Sequence, residues 1–169
     1  MQLRDFRPGD LETLYGIDQA CFAPGISYSR EALSEFIGNR RSRTWVAEAK
    51  GEVVGFLIAE RQAHEVAHIV TIDVVESWRR RRVGSLLMDA AEDWAREQKL
   101  AFVYLEAAEN NAAARGFYEA RGYRKVDHIW NYYSDGASAW IMLKWLRRTG
   151  GSGERPGAAT VAAPTTEGE

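Results

Sequence analysis

The sequence predicts a mixed α/β domain built on one twisted sheet, with elements in the order β-α-α-β-β-β-α-β-α-β-β. Two observations carry most of this. The run His68-Ile69-Val70-Thr71-Ile72-Asp73-Val74-Val75 is β-branched almost throughout, which suits a central strand packed on both faces. It leads through an arginine-rich turn into a segment where Leu86, Leu87, Ala90, Ala91 and Trp94 recur at the three-four spacing of one buried helix face. Elements of both kinds alternate along the chain, so a sheet covered by helices is expected.

The leading strand of this order falls ahead of Asp10. Leu11, Leu14 and Ile17 follow Asp10 at helical spacing, and Asp10 is placed to accept from free first-turn amides, so a helix is expected over about residues 10 to 20. Ser29 precedes Arg30-Glu31-Ala32-Leu33 and Phe36-Ile37, a cap followed by apolar spacing, and Gly38-Asn39 is a stop signal. The Phe22 to Tyr28 loop joins these two helices. Thr44 to Ala49 and Val53 to Ala59 flank the polar turn Lys50-Gly51-Glu52 and read as a hairpin. Beyond the amphipathic helix, Phe102 to Ala107 reads as a strand and Ala112 to Ala120 as a short helix ended by Arg121-Gly122. Two strands follow near 124 to 130 and 138 to 146.

A length of 169 residues suits one core. From Gly150 the chain turns to Gly, Ala, Thr and Pro with no large hydrophobe to offset ordering entropy, so 1–149 is read as the folded domain and 150–169 as a disordered tail. Net charge is -2, and the tail carries one Arg against three Glu, so the body balances at zero and no polyanionic partner is implied. Cys21 is the only cysteine, which excludes an intramolecular disulfide and a thiolate zinc site. His64, His68 and His128 show no metal-ligand spacing with acidic or cysteine partners, so no metal is expected and they read as strand-surface histidines. No apolar run is long enough to span a membrane, and the charged N-terminus is unlike a signal peptide, so a cytoplasmic protein with no membrane partner is expected.

Arg79-Arg80-Arg81-Arg82-Val83-Gly84-Ser85 lies where a strand gives way to a helix. Such a junction is an anion site, because first-turn amides lack intrahelical partners and the helix dipole favours negative charge. A pyrophosphate would take hydrogen bonds from the turn's amides while the arginines supply charge, and Gly84 and Ser85 allow close approach. Spacing alone equally fits a solvated surface turn or a short basic patch for nucleic acid.

In context, the chain resembles the GNAT superfamily. Arg79 and Gly84 match the ends of that family's signature of Arg or Gln, two residues, Gly, one residue, then Gly or Ala. Leu105-Glu106, Asn111-Ala112-Ala113-Ala114, Phe117-Tyr118-Glu119 and Arg121-Gly122-Tyr123 resemble its second motif. The resemblance covers nearly all of residues 1–146, and it implies a GNAT-like central twisted sheet of seven strands flanked by about four helices. It implies acetyl-CoA as co-substrate, with pyrophosphate on the Arg79 to Ser85 turn and the pantetheine arm along a splayed strand at Ile72-Asp73-Val74. Arg82 stands where the family has its first glycine, so the turn is either wider or uses a non-glycine residue whose amide still donates; this shifts phosphate binding to amides around Val83, Gly84 and Ser85, on the condition that the φ/ψ of Arg82 are ordinary. Asp73 stands where a small apolar residue is usual, and it is open whether it faces substrate or a polar strand face. Within the superfamily, Cys21-Phe22 with Pro24, Asn131-Tyr132-Tyr133 and Ala139-Trp140-Ile141-Met142 are most similar to the bacterial ribosomal-protein alanine N-acetyltransferases and related protein N-terminal acetyltransferases.

Amide formation from an ammonium requires proton removal, attack on the thioester, oxyanion stabilisation and protonation of the leaving thiolate. Glu106, near a strand end, is placed to collect the amine proton, and the resemblance implies that base role; the residue alone also fits a rim carboxylate. The family match implies Tyr118 as the acid to the sulfur, through a phenol of ordinary pKa, while the Phe-Tyr pair alone fits packing. Asn111 reads as the cap of the helix after it and, by resemblance, bonds the CoA arm. A backbone amide of Ile72 to Val74 matches the family's oxyanion donor. Tyr28, Tyr132 and Tyr133 are candidates to line the acceptor groove, or else loop and edge packing. The acceptor implied is a protein N-terminal amine, including that of a ribosomal protein; a small amine or lysine side chain is the enzyme alternative, and a nucleic-acid module on Arg79 to Arg82 the non-enzymatic one. No second basic stripe is evident for the latter.

Overall fold

The computed structural model describes residues 1–146 and has seven strands and four α-helices in the predicted order. The domain boundary at Thr149 and the tail from Gly150 lie outside the described residues. The elements are β1 (Gln2–Asp5), α1 (Leu11–Cys21), α2 (Arg30–Gly38), β2 (Ser42–Ala49), β3 (Glu52–Gln62), β4 (Val66–Val74), α3 (Val83–Glu97), β5 (Phe102–Ala108), α4 (Ala112–Ala120), β6 (Arg124–Ile129) and β7 (Ala139–Trp145).

Local chemistry sets most of these boundaries. Ser29 Oγ accepts from Ala32 N at 3.1 Å and starts α2; Asn111 Oδ1 accepts from Ala114 N at 3.0 Å and starts α4. The β2–β3 hairpin turns through Lys50 at φ 54° and Gly51 at φ 80°, two positive values in succession that match the twist of the flanking strands. Asp10 corrects one expectation. Its carboxylate does not cap α1 but accepts from Arg7 N at 2.7 Å and from Arg4 at 2.7 and 2.9 Å, tying β1 to the 3-10 turn Pro8–Asp10.

The strands form one sheet in the order β1-β2-β3-β4-β5-β7-β6, with β4 at its centre. Alternate residues of β3 separate two cores. Val54, Leu57 and Ala59 pack with Leu87, Met88, Ala91 and Trp94 of α3, and Trp94 meets Trp45 edge-on at 5.7 Å. Phe56 and Ile58 pack on the other face with Leu14 and Ile17 of α1 and Leu33 of α2. Leu14, Leu33 and Leu87 are fully buried, each contributing about 2 kcal/mol through area removed from water.

β4 and β5 are the parallel pair, bridged by the α3 crossover, and they stay together only briefly. Val66, Ala67 and His68 face Phe102, Val103 and Tyr104; beyond that register β4 pairs with β3 and β5 with β7. The strands part like a fork, leaving unpaired backbone edges on both sides of a cleft. This is the splay that the family resemblance implied.

Candidate active site

Arg82, the residue ahead of α3, sits at φ 67° and ψ 9°, and Arg80 at φ 59°. The condition of ordinary φ/ψ at Arg82 is therefore not met. It occupies the left-handed conformation that a glycine adopts without penalty, which explains why a glycine is usual there. α3 has no side-chain cap, and its first intrahelical bond is Leu86 N to Arg82 O at 3.0 Å, so the amides of buried Val83, and of Gly84 and Ser85, have no partner among the described residues. Among the described residues the four arginines form no ion pair there. Arg79 turns back, its Nε donating to Val74 O at 3.1 Å, and Arg81 lies over the Trp78 ring at 5.4 Å. Arg80 and Arg82 are exposed. An uncapped helix start with open amides under cationic side chains is a cradle for phosphate oxygens. A Cβ at Gly84 would lie 3.4 Å from the Phe117 ring of α4, so the space over this turn is already narrow.

The fork between β4 and β5 brings together residues far apart in sequence. Glu106 of β5 lies two residues beyond the last paired position, and its Oε2 is 2.7 Å from His68 Nε2 across the strands. An ionised carboxylate only accepts, so Nε2 carries the proton and Oε1 of Glu106, with no partner among the described residues, stays open to a proton. His68 is no strand-surface histidine: it is 7% exposed and stacks on Tyr104 at 4.5 Å, whose hydroxyl donates to Gln62 Oε1 at 2.8 Å.

Tyr28, Tyr132 and Tyr133 gather at the same fork. Burial, and after it the Glu106 charge, pushes the phenols of all three and of Tyr104 up, so each stays protonated. Tyr28 OH donates to Val70 O at 3.2 Å, and Tyr132 meets Tyr133 edge-on at 4.8 Å. The loops that carry them touch, Ser134 Oγ donating to Gly25 O at 2.9 Å. The Tyr28 loop and the Tyr132–Tyr133 loop are thus bridged.

Tyr118 is buried in the α3-side core, yet its hydroxyl has no hydrogen-bond partner among the described residues. Burial first, then the nearby Asp73, raises its phenol, so the ordinary pKa expected of it does not hold and the proton is retained well into alkaline solution. Ile72 and Val74 pack on the α3-side core, whereas Asp73 points the other way, 1% exposed and held by Thr71 Oγ1 at 2.8 Å. It is closed to solvent and lies toward Asp18 of α1. Sequence reading passed over His68 and Asp18, since nothing local marks either as a site residue.

One absence stated from sequence also changes. A second basic stripe exists, Arg40, Arg41, Arg43 and Arg61 lining a depression of about 840 Å³ near the C-terminal end of α3, opposite the arginine turn. Among the described residues no helix is long and apolar enough to cross a membrane, and no group of His, Cys, Asp or Glu is placed to hold a metal.

A model of the acetyltransferase (GNAT) family matches residues 11–123. An N-alpha-acetyltransferase of Sulfurisphaera tokodaii is 27% identical over 83% of this chain and 90% of its own length. The crystal structure of Ard1 from Thermoplasma volcanium superposes with a TM-score of 0.81 at 31% identity, over 87% of this chain and 98% of the other. The ribosomal-protein-S18-alanine N-acetyltransferase from Escherichia coli shares the fold, with a TM-score of 0.78 at 24% identity over 88% of this chain and 96% of the other.

Proposed function

The chain belongs to the GNAT acetyltransferase family, and from that premise we propose that it transfers acetyl from acetyl-CoA to the α-amine of a protein N-terminus. The observation that carries the reading is the Glu106–His68 pair at the fork of β4 and β5, beside the uncapped start of α3. Relatives named as N-alpha-acetyltransferases that match most of the chain support the acceptor class.

In this reading Val83, Gly84 and Ser85 amides, with Arg80 and Arg82, receive the pyrophosphate. Asn111 and the cleft-facing edge of Ile72, Asp73 and Val74 receive the pantetheine arm, and an amide of that edge donates to the thioester oxyanion. Glu106 Oε1 collects a proton from the incoming ammonium, directly or through water, while His68 orients the carboxylate. The free amine then forms its bond to the carbonyl carbon, its nitrogen sheds a second proton to water as the carbon–sulfur bond breaks, and Tyr118 gives its proton to the sulfur and is reprotonated from solvent. Tyr28, Tyr132 and Tyr133 exclude water and shape the entrance. The free thiol of Cys21 suits a cytoplasmic setting.

A second reading, transfer to a small amine or a lysine side chain, is favoured by the Ser134–Gly25 bridge across the mouth. Labelled acetyl-CoA offered with N-terminal peptides, including an alanine-initiated ribosomal-protein peptide, and with small amines separates the two. Label in peptides supports the proposal; CoA binding with label confined to small amines rejects it.

A further inference from the structure

Asp18 in α1 and Asp73 in β4 are 0% and 1% exposed, yet each is bonded through one oxygen only. Asp18 Oδ2 accepts from Tyr28 N at 2.8 Å and Gln19 Nε2 at 3.3 Å, and Asp73 Oδ1 accepts from Thr71 Oγ1 at 2.8 Å. Asp18 Oδ1 and Asp73 Oδ2 are buried with no donor, and the two carboxyls act on each other where α1 packs on β4. Two ionised carboxylates are acceptors only, so the pair is satisfied when one proton lies between them.

We propose that Asp18 and Asp73 share a single proton, and that this carboxyl–carboxylate pair positions the Tyr28 wall of the acceptor cleft against β4. The link is short. Asp18 holds the Tyr28 amide, Gln19 Nε2 holds Tyr28 O at 2.8 Å, and Tyr28 OH returns to Val70 O of β4. The role in acceptor binding rests on the function proposed above.

The groups that face the pair from each neighbouring element are few. Cys21 comes from α1, Tyr28 from the loop after it, Arg79 from the turn after β4 and Tyr118 from α4, and β3 brings only the apolar Phe56 beside Asp73. Among the described residues Arg79 is the one cation acting on the pair, and it favours ionisation of Asp73; burial opposes it and is the larger effect, raising both carboxyls. A carboxyl raised in the folded state contributes most below its unfolded value and loses that contribution as pH rises through the folded value. The pair therefore loosens as pH rises through the folded value, where two buried like charges repel and the Asp18–Tyr28 tether weakens.

Asp18→Asn and Asp73→Asn test this, because an asparagine amide bridges to the remaining carboxylate without a proton. In the wild type the acceptor KM climbs by up to about tenfold per pH unit beyond the pair's last titration, and protection of the Tyr28 amide from hydrogen exchange falls in parallel. In Asp18→Asn both are flat once intrinsic exchange and amine ionisation, common to all variants, are divided out. Asp73→Asn gives the same comparison should Asp18→Asn fail to fold. Infrared spectra of the wild type supply a readout free of any variant: a protonated carboxyl band at neutral pH supports the pair, and its absence overturns it. Variants that track the wild type in both KM and amide protection also overturn it. Amide protection and infrared need no acceptor, so a wild type that acetylates no peptide but passes those two rejects the functional reading alone.

Discussion

His68 Nε2 stands 2.7 Å from Glu106 Oε2 at the point where β4 and β5 cease to pair. The parallel register that sets His68 opposite Tyr104 brings its ring to a carboxylate two residues further along the neighbouring strand. The same parting of strands opens the backbone edges beside it, so the base and the cleft have one structural origin.

Replacing Glu106 with Gln keeps the shape and removes the proton acceptor. We expect kcat to fall about a hundredfold or more, with CoA affinity preserved in calorimetry. His68→Asn is expected to lower kcat by about tenfold, because it loosens the carboxylate without removing it. Wild-type kcat in Glu106→Gln would remove Glu106 from the chemistry.

Tyr118→Phe separates chemistry from packing. The ring lies in the core but the hydroxyl bonds to nothing among the described residues, so its loss leaves the melting temperature close to wild type. Turnover is expected to drop about a hundredfold. A large loss of stability with normal turnover per folded molecule would reverse the assignment.

The left-handed Arg82 predicts an ordered pair of outcomes. Arg82→Gly relieves a conformation that costs a side chain about 1–2 kcal/mol, partly offset by the greater unfolded-state freedom of glycine. Arg82→Val is less stable than wild type, since a β-branched residue tolerates this region poorly. Thermal denaturation checks the order Gly at or above Arg, and Arg above Val.

Asp10 supplies a pH dependence of known sign. The hydrogen bonds and charge of Arg4 hold its carboxyl below the ordinary value, against the opposing effect of burial. Its stabilisation is complete above the unfolded carboxyl range and vanishes as pH falls through the folded value. Arg4→Met breaks a largely buried pair, with side chains 14% and 12% exposed, and costs about 3 kcal/mol at neutral pH. The difference in melting temperature between wild type and Arg4→Met narrows in acid; a constant difference would contradict it.

What was legible in the sequence is what local chemistry determines. Ser29 and Asn111 cap helices because their side chains reach amides three residues on, and the run from His68, β-branched almost throughout, suits a central strand packed on both faces. Glu106, Tyr118 and the arginine turn were legible through motif resemblance. Asp10 misled because a cap position says nothing of an arginine arriving on β1, where Arg4 outcompetes the helix amides. His68 and Glu106 are 38 residues apart, and Asp18 meets Asp73 across an α1–β4 contact. Such pairs are created by sheet register and helix docking, which no local pattern encodes.

The central claim is tested most directly by locating the acetyl group on a peptide that offers both a free N-terminal α-amine and an internal lysine, by fragmentation mass spectrometry after incubation with acetyl-CoA. Acetyl on the α-amine, abolished by Glu106→Gln, is the predicted result. Acetyl confined to the lysine, or α-amine transfer that survives Glu106→Gln at the wild-type rate, would contradict it.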